Sequence, residues 1–124
     1  MKKKDKPTEV NLLELIPSRL MEYETGDDGL VTIIAPRKVG RIMKALLGSR
    51  AKKKVTRWVL DDIGSAVWTL CDGERTVGRI GEIMKEDFGE RIEPCFDRLA
   101  LFFGQLEGAR YMEYRNLEAL KEKE

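Results

Sequence analysis

Asp61, Asp62, Cys71 and Asp72 stand close together in the stretch "LDDIGSAVWTLCDGERTVGRIGEIM", Leu60 to Met84, and are the side chains here best suited to chemistry. Carboxylates would serve as general acid or base, and a thiolate as nucleophile. The sequence contains no His, so the commonest general base near neutral pH is missing. Asp61 and Asp62 sit where a helix should begin, and an aspartate there is a cap far more often than a catalyst. The two cysteines, Cys71 and Cys95, lie far apart beside apolar neighbours. They fall short of a four-ligand zinc site and of a disulfide framework, and read as small buried hydrophobes. No metal or cofactor is expected, and the chain reads as a protein other than an enzyme.

Composition narrows the remaining classes. A chain of 124 residues can bury enough surface for one domain. No apolar run approaches the ~18 residues of a membrane helix. The opening "MKKKDKPTEV" leads into no apolar segment, so a cytoplasmic protein with a basic tail is expected. Net charge is +1, yet it is unevenly spread. Between Leu30 and Leu60 there is no Asp or Glu, while nine cations run from Arg37 to Arg57. Such a face attracts acidic peptides, nucleic acid or anionic lipid, or is simply a solvated loop.

Any function must rest on the elements that hold these residues. "VNLLELIPSRL", stopped by Pro17, reads as a short helix or an extended arm. Alternation from Leu20 to Glu24, the turn Gly26-Asp27-Asp28-Gly29, and the β-branched run Val31 to Ile34 predict a hairpin. Val39, Ile42, Met43, Leu46 and Leu47 have helical spacing with cations opposite, and "VTRWVL" predicts a third strand. Three helices then follow. Asp61 caps the first, Asp62 to Cys71, with Gly73 beyond its end. Thr76 caps the second, Val77 to Phe88, and Glu93-Pro94 opens the third, which runs to Gly108. Trp68, Ile80, Ile83, Leu99, Phe102 and Leu106 are the expected core. "RYMEY" reads as a short strand or extended segment, and "NLEALKEKE" as a frayed helix or tail.

The fold class that results is α+β, a winged-helix-like domain with a three-stranded antiparallel sheet followed by a three-helix bundle. The expected boundaries are a basic tail and short arm over 1–18, the domain over 19–114 with a basic insert over 37–53, and a charged tail over 115–124.

Leu60-Asp61, Ala66, "LCDG" at Leu70 to Gly73, "RTV" at Arg75 to Val77, Ile80, Ile83, and then Leu99, Phe102, Phe103 and Leu106 resemble the PqqD family. These are small proteins named for pyrroloquinoline quinone biosynthesis, and they include the recognition domains of ribosomally made peptide pathways. The resemblance spans about Arg19 to Met112. It departs in the long basic segment Arg37 to Lys53 and at Arg110, which stands where a glycine often follows the third helix. Asn11 to Pro17 lie outside it.

The resemblance implies a winged helix whose groove, between the third strand and the third helix, takes a leader peptide as an added β-strand. It also implies a radical-SAM modifying enzyme as partner. On that basis Val55, Thr56, Arg57, Trp58 and Val59 are the expected docking edge, with Phe96, Leu99 and Phe103 beside Arg57 as wall residues. A homodimer is left open and no membrane partner is expected. The alternative is a winged-helix nucleic-acid-binding protein, disfavoured because Glu90, Glu93, Asp97 and Glu107 face only Arg91 and Arg98 around the third helix.

Overall fold

The computed structural model describes residues 11–37 and 54–122, together with Ile42, Ala45, Leu46 and Gly48. The amphipathic helix expected from Val39 to Leu47, and the basic insert over 37–53 that contains it, lie outside the described residues except for Arg37 and those few positions.

The chain enters through a 3-10 turn at Leu12–Glu14 and a short strand β1, Pro17–Arg19. The predicted hairpin follows as β2, Glu22–Thr25, and β3, Val31–Arg37. Its turn closes through Gly26 and Leu30, whose N–H and C=O meet at 2.9 Å, while Asp28 Oδ1 accepts from the Leu30 N–H at 3.0 Å. Gly29 takes φ 83° there, a conformation open mainly to glycine. Strand β4, Lys54–Val59, pairs with β3, giving an antiparallel sheet of order β2-β3-β4. Among the described residues no strand lies beyond β4.

Val31, Ile33 and Ala35 alternate inward and are buried, as a one-sided sheet requires. Pro36 is tolerated in the middle strand because β2 has already ended at the pair Glu22–Ile34.

The three expected helices are α1, Asp62–Leu70, α2, Val77–Phe88, and α3, Cys95–Gly108. Asp61 caps α1 through the Gly64 N–H and Thr76 caps α2 through the Arg79 N–H, as their types predict. Pro94 precedes α3 without a side-chain cap; the Glu93 carboxylate accepts from the Cys95 N–H instead. Helices α2 and α3 approach closely at Gly81, where a Cβ would run into the Phe96 ring.

Trp68, Ile80, Leu99 and Leu106 are buried as expected, whereas Ile83 and Phe102 are only half-buried. Buried Ser65 ties α1 to the sheet. Its hydroxyl oxygen accepts from the Val31 N–H at 2.7 Å and its hydroxyl donates towards the Leu60 carbonyl at 3.4 Å. The sequence does not foreshadow a second sheet, in which β1 pairs with β5, Met112–Tyr114. A last helix α4, Leu117–Glu122, follows it. Asn116 holds the arm by accepting from the Ile16 N–H at 2.9 Å and donating to the Glu14 carbonyl at 2.9 Å.

Candidate functional site: an open strand edge and its groove

The four side chains suited to chemistry are occupied in structural roles. Asp61 is a helix cap. Asp62 accepts from Arg91, which holds its carboxyl below the usual range. Burial works against the charged form of Asp72, but the N–H groups of Glu74 and Arg75 and the Arg75 charge outweigh it and lower its pKa. Cys71 has no exposed surface, and burial pushes its thiol up to about 12, so the nucleophilic thiolate is absent near neutral pH. Cys95 is likewise buried, and burial raises it too.

Strand β4 offers something different. The Leu60 N–H donates to the Val31 carbonyl at 2.8 Å, so Val31 and Leu60 form a hydrogen-bonding pair. In an antiparallel ladder such pairs alternate. Along the observed register, Trp58 and Thr56 therefore bond to Ile33 and Ala35. The N–H and C=O groups of Val55, Arg57 and Val59 point away from β3, to an edge that is free among the described residues.

Beside this edge lies an open groove of about 520 Å³ between the corner where β4 turns into α1 and the facing side of α3. Its apolar walls are Trp58 and Ile63 on one side and Leu99, Leu101 and Phe102 on the other, and Val59, Arg91, Arg98 and Gln105 complete the lining. Trp58 is half-buried and packs its ring against Phe102 and Tyr111, with centroids 6.2 and 6.1 Å away. Leu101 is 68% exposed, a large apolar side chain that no described residue covers.

The residues singled out in the sequence separate here. Trp58, Val59 and Leu99 line the groove. Val55 and Arg57 stand on the outer face of the sheet with Val59, on the pleat opposite to Thr56 and Trp58. Phe96 is turned the other way, against Gly81 and beneath Lys85, and Phe103 is fully buried between Phe102 and Tyr114. Neither of these two phenylalanines lines the groove. Leu101 and Phe102 take that place, and sequence reasoning missed their position there. The available signal was the run Arg98, Leu101, Phe102 and Gln105, which recurs at three-and-four spacing on a single face of α3.

The sequence model of one family, Coenzyme PQQ synthesis protein D (PqqD), matches residues 40–111. The chain belongs to the PqqD family. The matched stretch contains β4, α1, α2 and α3, and so the whole lining of the groove. The hairpin partners β2 and β3, the arm and β5 lie outside it. No curated protein and no solved structure matches the chain. Arg110 takes φ 64°, the left-handed conformation that glycine adopts freely. Among the described residues no helix is long and apolar enough to cross a membrane, and no cluster of side chains could hold a metal ion.

Proposed function

We propose that the protein is a non-catalytic peptide-binding chaperone with a winged-helix-like domain over 19–114. It captures the leader of a ribosomally made precursor peptide by strand addition at β4. It then presents the peptide to a radical-SAM modifying enzyme in the cytoplasm, as in PQQ biosynthesis. The observation that carries this reading is the free edge of β4 beside an apolar groove. Unpaired backbone groups bind any extended chain, and the groove receives alternate side chains of that chain. Membership of the PqqD family supports the same reading.

Nucleic-acid binding is less well supported. Helix α3 carries Asp97 and Glu107 against Arg98, the wrong balance for a phosphate backbone.

The test uses a synthetic leader peptide from a precursor of a PqqD-dependent pathway, titrated calorimetrically into the full chain. Val59→Pro removes a donor that faces the free edge and none that serves β3, so affinity should fall about tenfold while the thermal midpoint holds. Unchanged affinity would sink strand addition at this edge. Raising the salt concentration should weaken binding only slightly, whereas phosphate contacts would give a steep loss.

A further inference from the structure

An unpaired edge accepts any extended chain, so selection among peptides must come from the side chains beside it. At β4 the residues whose backbone faces the edge, Val55, Arg57 and Val59, all turn their side chains to the outer face of the sheet. Val55 and Val59 are 47% and 63% exposed. In an antiparallel partner, the residue that exchanges hydrogen bonds with Arg57 would also place its side chain directly beside the guanidinium.

Among the described residues that guanidinium is poorly satisfied. Its carboxylate partner among the described residues is Glu24, at 3.4 Å, and both side chains are more than half exposed. Exposed pairs of this kind contribute little. The sequence holds no acid from Leu30 to Leu60, so β4 itself offers none. Like charges directly opposite each other destabilise a sheet, so a lysine or arginine at this position in the incoming strand would be rejected. The same repulsion works against self-pairing. Two β4 edges aligned antiparallel about their centre, with Val55 opposite Val59, would set Arg57 against Arg57 of the second copy.

We propose that Arg57 is a specificity-determining residue, selecting extended peptides that carry a carboxylate at the position paired with it, flanked by apolar residues that turn into the groove against Trp58 and Phe102. This rests on strand addition at β4, and the test keeps the two apart. Three synthetic nonapeptides of alternating Val and Thr, identical except for a central Glu, Gln or Lys on the outward face, are titrated into the full chain at low salt.

The Glu peptide should bind roughly three- to tenfold more tightly than the Lys peptide. Arg57→Glu should reverse that order and Arg57→Gln should level it. Glu24→Gln, which frees Arg57 from its internal partner, should widen the preference of the unaltered Arg57. Arg57 is exposed, so circular dichroism should show each variant folded. Equal affinities, or an order that survives Arg57→Glu, would overturn the proposal while leaving strand addition intact. Failure of all three peptides to bind would overturn both.

Discussion

Arg110 carries backbone strain that a glycine would relieve. At φ 64° its Cβ crowds the adjacent carbonyl, a cost of about 1–2 kcal/mol for a residue with a side chain. Its N–H still closes the end of α3 on the Glu107 carbonyl at 3.0 Å, so the strain is held by the turn into β5. Arg110→Gly should therefore raise stability by about 0.5–1 kcal/mol in urea unfolding, after the entropy lost by glycine is set against the relief. An equal or lower midpoint would mean that the Arg110 side chain makes a compensating contact. At this scale much was legible in the sequence. Asp61 and Thr76 could be identified as caps because capping chemistry is local, and both cysteines could be placed inside from their apolar neighbours. Phe96 and Phe103 could not be assigned. Helix α3 is apolar on more than one side, and which side meets α2 was decided by the room at Gly81.

Among the elements, the β1–β5 pair is the one that no local pattern announces. Pro17 meets Tyr114 and Arg19 meets Met112, partners nearly the whole described chain apart. Three-residue strands leave too short a period to read, and pairing at such separation has no signature in neighbouring residues. Asn116 fastens this pair with one bond to the Ile16 N–H and one to the Glu14 carbonyl. Asn116→Ala should cost about 1–2 kcal/mol. Hydrogen exchange should show the Ile16 amide losing protection well before the amides of β3 that bond to β4. Simultaneous loss in both places would mean that the arm and the three-stranded sheet open as one unit. The hairpin and the edge strand, by contrast, were legible because alternation and a Gly-Asp-Asp-Gly turn are short-range signals.

Across the whole molecule, α3 divides its work between core and groove. Leu99 is 1% exposed and joins the two, whereas Phe102 is half-buried and faces Trp58. Leu99→Ala should lower stability by about 2–5 kcal/mol through the cavity it leaves. Phe102→Ala should cost less stability and weaken peptide binding more. Thermal melts and calorimetric titration of the two variants separate these effects, and equal loss of both properties in both variants would contradict the division. The α+β class and the order of sheet before helices followed from the sequence. The facing side of α3 did not, since a helix direction is set by what the rest of the chain packs against it.

The chain has two tryptophans, and the fold gives them opposite surroundings. Trp68 is sealed in the core, edge-on to Tyr23, with its indole N–H unpaired among the described residues. Trp58 sits half-open on the wall of the groove. The protein thus contains two optical reporters that answer different questions. Emission from Trp58 should shift to the blue when an occupant displaces water from the groove, while emission from Trp68 stays fixed until the core itself comes apart. With Trp58→Phe the first signal should vanish and the second remain, so occupancy and unfolding can be followed separately in one cuvette without a label.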